Sequence, residues 1–144
     1  SHCEILIQLR IPPQLTPEQV FEEVKRKIDR YKATNPKVTV VVESVDVAKA
    51  FEADRRSVIV RALAWGIRKT TLNYASFSRK TGTGDMNVLG NELKIPVVTY
   101  GPGDSKLDHT PNEHIDIQEY LDSLEVLRKT LTKLPDFAKR RSRK

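Results

Sequence analysis

Two hydrophobic periods alternate along this chain, and that alternation most narrows what it can fold into. Within residues 4–11, Ile5, Ile7, Leu9 and Ile11 recur every second position, and Glu4, Leu6, Gln8 and Arg10 alternate with them, Leu6 being the one apolar residue of that set. A period of two places one set of side chains on one face of a strand. Pro12 and Pro13 end it, because proline has no N–H to give a ladder. The period then changes. Thr16-Pro17-Glu18-Gln19 has the residues of a helix start: an N-cap hydroxyl, proline at the first helical position and a glutamine to close a capping box. Val20, Val24, Ile28 and Tyr31 form the stripe that follows, and Asn35-Pro36 stops it. Residues 38–45 are rich in valine and read as a second strand. Residues 4–45 therefore resemble a βαβ unit, but two strands and one helix cannot cover both faces and both edges of a sheet.

The pattern continues beyond a connection at residues 46–56. Ser57 caps a helix to about Asn73, with Ile59, Leu63 and Ile67 on one face. Residues 75–79 read as a short strand, and a short helix is expected from Met86. Residues 95–100 read as an apolar strand. Asp116 caps a long helix with Glu119 at the box position. Its stripe is Ile117, Leu121, Leu124, Leu131 and Leu134, and it is expected to end at Pro135. Alternating strands and helices predict an α/β fold.

Composition excludes several classes. No apolar run approaches the roughly 18 residues of a membrane span. The opening residues do not read as a signal peptide, so the cytoplasm is the expected compartment. Cys3 is the one cysteine, which excludes an intrachain disulfide and a multi-cysteine zinc site. The net charge is +6, but Lys139, Arg140, Arg141, Arg143 and Lys144 crowd the last six residues, and without them the chain is close to neutral. A basic tail can contact nucleic acid, or it can be a solvated terminus.

Two stretches carry candidate chemistry. Arg79-Lys80-Thr81-Gly82-Thr83-Gly84-Asp85-Met86-Asn87 is a glycine-rich segment between a strand and a helix. Such a loop can present N–H groups to an anion, although its spacing is neither that of a P-loop nor of a dinucleotide fingerprint. The second stretch runs from Tyr100 to Ile115. It gathers His109, His114, Asp104, Asp108 and Glu113 in one loop after an apolar strand. Ligands of open α/β sheets bind at such strand ends, and imidazole with carboxylate suits zinc or a related ion. The residues do not form a complete metal site, and loop histidines also occur simply as surface residues.

Together, RKTGTGDMN and YGPGDSKLDHTPNEHIDIQEY resemble the C-terminal part of the dinuclear-metal amidohydrolases and peptidases. That family includes carboxypeptidase G, succinyl-diaminopimelate desuccinylase and acetylornithine deacetylase. The wording is most similar to the lysine-biosynthetic branch, once called acetyl-lysine deacetylases, whose members release lysine or ornithine from an amino-group carrier protein. Residues 9–13 and 16–19 resemble a part of the family's lid.

The resemblance implies part of an α/β lid domain, used for dimerisation, in residues 1–46. It implies the C-terminal part of a zinc-peptidase-like α/β catalytic domain in residues 47–136; the charge pattern leaves 137–144 as a basic tail. It makes His109 a metal ligand, with Asn112 and Glu113 completing its motif around it. Arg79, Lys80, Thr81, Gly82, Thr83, Gly84 and Asp85 become substrate-binding residues. It implies zinc or cobalt, two ions in the whole enzyme, and a small amide or a carrier-protein-linked substrate. Membrane and nucleic acid are not expected partners; a homodimer through the lid is.

Departures limit the reading. The family's D-x-x-H motif, bridging aspartate and Glu-Glu pair have no counterpart: residues 46–50 read DVAKA, and Glu22-Glu23 falls elsewhere in the order. The chain therefore reads as a fragment of a metal-dependent amidohydrolase, with no catalytic residue of its own and inactive alone. The competing reading is a self-contained α/β binding module whose basic tail contacts nucleic acid or an acidic partner.

Overall fold

The computed structural model describes residues 2–141, and for residues 140 and 141 the backbone only. It contains α1 (Pro17–Thr34), α2 (Val58–Thr71), α3 (Asp85–Asn91) and α4 (Ile117–Arg141). Among the described residues there is no strand, so the expected α/β fold is overturned. The physical reason lies in what a period of two encodes. It says which side chains share a face, but a strand exists only when a second segment completes its ladder. Residues 4–11, 38–45, 75–79 and 95–100 form no strand among the described residues. Many of their apolar side chains are left exposed, Leu6 to 85% and Val45 to 81%.

The helix starts form where the local chemistry places them. The Thr16 hydroxyl accepts from the Gln19 N–H at 3.3 Å, and the Gln19 side chain accepts from the Thr16 N–H at 2.9 Å. This satisfies two donors at the start of α1. At its other end the Asn35 side-chain amide donates to the Tyr31 carbonyl at 2.9 Å. Ser57 caps α2 by accepting from the Val60 N–H, and Asp116 caps α4 by accepting from the Glu119 N–H at 2.9 Å.

The expected stop at Pro135 does not occur; α4 passes through it to Arg141. A proline in a helix interior removes one hydrogen bond and crowds the preceding turn, costing about 3 kcal/mol. Contacts around the proline oppose that cost. Lys133 pairs with Asp136 at 2.6 Å, and the Arg61 guanidinium of α2 lies 5.5 Å from the Phe137 ring centroid. Arg143 and Lys144 of the basic tail lie outside the described residues, as do the side chains of Arg140 and Arg141.

The chain divides into two compact units. The first comprises residues 1–52 and 81–93. Here α1 buries no residue fully. Residues 49–51 are fastened to α3 instead. The side-chain amides of Asn87 and Asn91, one helical turn apart, both donate to the Lys49 carbonyl, at 2.7 and 3.1 Å. The Phe51 ring lies against Gly90, where any Cβ would collide with it.

The second unit comprises residues 53–80 and 94–144. Its core is the α2–α4 pair. Val60, Ala62, Leu63 and Gly66 of α2 are buried, as are Ser123, Val126 and Thr130 of α4. Small residues meet at the crossing, which lets the two backbones approach closely. Lys129 then closes the end of α2, donating to the Lys69 carbonyl at 3.0 Å and to the Thr70 hydroxyl at 3.3 Å. A cation on the last carbonyls of a helix complements its dipole.

Candidate functional site

Residues 104–114 of the second unit build a tight loop almost entirely from local bonds. Asp104 starts it, accepting the Lys106 N–H on its side chain at 3.0 Å and the Leu107 N–H on its carbonyl at 2.9 Å. The Leu107 carbonyl accepts from both the N–H and the hydroxyl of Thr110, at 3.0 and 2.7 Å. The Thr110 carbonyl accepts from the Glu113 N–H at 3.1 Å. His109 lies inside this loop with φ at 64°. That left-handed conformation costs an L residue about 1–2 kcal/mol. It persists here because the His109 N–H donates to Glu113 Oε2 at 3.0 Å, which closes the His-x-x-Asn-Glu motif on itself. Held strain of this kind clusters at functional positions.

His114, five residues on, is engaged differently. Its Nδ1 lies 2.6 Å from the Asn112 carbonyl. A carbonyl only accepts, so Nδ1 is the donor in this contact. Both histidines are exposed. At the mouth of the loop, Gly103 adopts φ 95° and donates its N–H to Glu119 Oε1 at 3.1 Å. The carboxylate expected only as part of a helix box thus ties the loop to α4. Partial burial, and then the negative charges of Glu119 and Asp122, push the Tyr100 phenol above its ordinary pKa.

The glycine-rich segment falls in two parts. Arg79 and Lys80 belong to the second unit, and Thr81–Asp85 to the first. In the second unit Lys80 Nζ lies 3.1 Å from Asp108 Oδ2, beside His109. In the first, the Thr81 carbonyl accepts from the Arg10 guanidinium at 2.7 Å. The Gly84 N–H is already taken by Asn87 Oδ1 at 3.1 Å. Neither Gly82 nor Gly84 has the left-handed backbone that favours glycine, and a Cβ on either would meet nothing within 4 Å. Nothing inside the described residues therefore requires glycine there; a ligand approaching the backbone closely would.

Among the described residues no three His, Cys, Asp or Glu side chains converge to hold a metal ion. His109 offers one imidazole, and one imidazole does not make a site. The donor set of this stretch thus does not fit a bound ion by itself; His109 could serve only as one ligand among others.

The sequence pointed to His109, Glu113 and Lys80 but missed how they are joined. Asp108 and Arg10 were not singled out as contacts. Lys80 and Asp108 are 28 residues apart, Arg10 and Thr81 are 71 apart, and opposite charge alone does not select such partners.

Comparison with known proteins completes the picture. Residues 5–133 match the peptidase family M20/M25/M40, and the chain belongs to that family. It is 39% identical over 131 residues to a protein of Pyrococcus horikoshii named as a LysW-lysine/LysW-ornithine hydrolase, covering 91% of this chain and 34% of that one. It is 36% identical over 128 residues to the LysW-lysine hydrolase of Deinococcus radiodurans, covering 89% and 33%. A LysW-lysine/LysW-ornithine hydrolase of Sulfurisphaera tokodaii is 42% identical over 94 residues, covering 60% and 26%. The chain spans about a third of the length of the curated relatives it matches. No helix among the described residues is long and apolar enough to cross a membrane.

Proposed function

We propose that this chain is part of a metal-dependent amidohydrolase that releases lysine or ornithine from an acylated or carrier-protein-linked precursor. The observation that carries the reading is the self-closed His109–Glu113 motif, in a chain whose relatives are named as hydrolases of such substrates. In that protein His109 is one ligand of a zinc or cobalt centre, and Glu113 fixes it through its backbone N–H. Held there together with ligands from the rest of that protein, a metal ion would supply Lewis-acid chemistry toward a carbonyl and a water. The remaining ligands and the general base come from elsewhere in a protein as long as its relatives. Thr81–Asp85 line the substrate pocket. The glycines support this, since no neighbour within the described residues accounts for them. Residues 1–46 derive from the lid, through which two copies associate, and 47–136 from the catalytic part. The binding-module reading is not favoured, because the family match extends over residues 5–133.

The purified chain, given acyl-lysine with zinc or cobalt, should release no free amine, whereas the protein at the length of its relatives should. Turnover by the chain alone that survives repurification would overturn the reading.

A further inference from the structure

We infer that Lys80 is a positioning residue: through Asp108 it fixes the turn that carries His109, and it is not itself a contact to the substrate. This deepens the reading above and rests on it.

Three observations carry the inference. The bonds that shape residues 104–114 are mostly internal to that loop, including those of Thr110 and Glu113. Internal bonds set the shape of a turn but not where it stands. The Lys80–Asp108 pair, at 3.1 Å, joins the turn to a residue 28 positions earlier in the chain. Asp108 also directly precedes His109, whose left-handed backbone depends on the turn staying closed. A tether on Asp108 therefore acts on the adjacent Cα. Lys80 is compensated by that carboxylate, which reduces the positive charge it offers to a substrate group.

Both side chains are about half exposed, which bounds the effect. Exposed pairs contribute at most about 1 kcal/mol, or roughly a fivefold change in population. Lys80 is thus a modest bias on the turn rather than a support of the fold.

The test is amide hydrogen exchange at His109 in the isotope-labelled chain, compared with amides of α2 and α4 in the same sample. Lys80→Met and Asp108→Asn should each speed exchange at His109 by up to about fivefold, leaving α2 and α4 unchanged. The double variant should be no worse than either single one. The charge-swapped chain, Lys80→Asp with Asp108→Lys, should restore protection; it is also the second arm if a single variant loses its helical circular dichroism. High salt should bring the native chain to the level of the single variants. Unchanged exchange in both single variants, additive losses, failure of the swap to restore, or equal acceleration throughout α2 and α4 would each overturn the inference. In the longer protein, Lys80→Met and Asp108→Asn should change kcat and KM alike. A KM effect confined to Lys80→Met would return Lys80 to substrate contact.

These outcomes are separate from those of the parent reading, which metal content decides. The pair can set the turn in a protein whose His109 binds no ion, and His109 can bind an ion while the pair is silent.

Discussion

At Gly66 α2 lies close against Val126 and Thr130 of α4, and replacing it with alanine should destabilise the second unit. On a lone helix the change would help, since alanine is favoured over glycine by up to about 1 kcal/mol. Packing opposes it. The added methyl would overlap the Thr130 hydroxyl and lie 2.9 Å from the Val126 carbonyl oxygen. Thr130 is buried, and its hydroxyl donates to that same carbonyl at 2.7 Å. Turning Thr130 aside breaks this bond, at about 1–3 kcal/mol for an unsatisfied buried group. The carbonyl cannot turn, so the helices must also part. Overpacking of this kind costs about 1–3 kcal/mol. Allowing for the propensity gain, we expect a net loss of about 1–3 kcal/mol. Urea unfolding followed by helical circular dichroism should show an earlier midpoint. In a Thr130→Ala background the Gly66→Ala penalty should shrink, because half of the collision is gone. Unchanged or increased stability of Gly66→Ala would refute the close-packed crossing.

Two further predictions concern α4. Val126→Ala should cost about 2 kcal/mol, since Val126 is fully buried, whereas Leu131→Ala should stay within about 0.5 kcal/mol, Leu131 being 64% exposed; the same urea assay compares them. Helix content should also depend on Glu125, whose carboxylate is held down to about 2, chiefly by its hydrogen bond to Arg128 and then by that cation's charge and Lys129. A depressed folded pKa means a contribution present above the ordinary carboxylate range and lost as pH falls through about 2. An acid titration of α4 helicity should show that loss, and Glu125→Gln should remove it.

Helix starts were legible because their chemistry is local. Thr16 with Gln19, Ser57 and Asp116 each sit within four residues of the groups they bond. The end of α4 was not legible, since Pro135 is overridden by contacts that include one to Arg61, 76 residues from Phe137 in sequence. The alternation of Ile5, Ile7 and Leu9 misled, because a strand's existence depends on a partner that alternation does not name. The site divides in the same way. His109 and Glu113 were found together because the turn that joins them is short, while Asp108 was joined to Lys80 only by the folded chain. The left-handed backbone of His109 left no mark in composition, because it follows from the whole set of bonds in residues 104–114.

Metal content decides whether His109 is a ligand. In the protein at the length of its relatives, His109→Ala should lose a metal equivalent by elemental analysis. Its activity should fall at least as far as the 10–100-fold that changes around a ligand typically cost. His114→Ala should keep both, since His114 lies beyond the His-x-x-Asn-Glu motif and just before the cap of α4. Full metal content and turnover in His109→Ala, with loss of both in His114→Ala, would contradict the account.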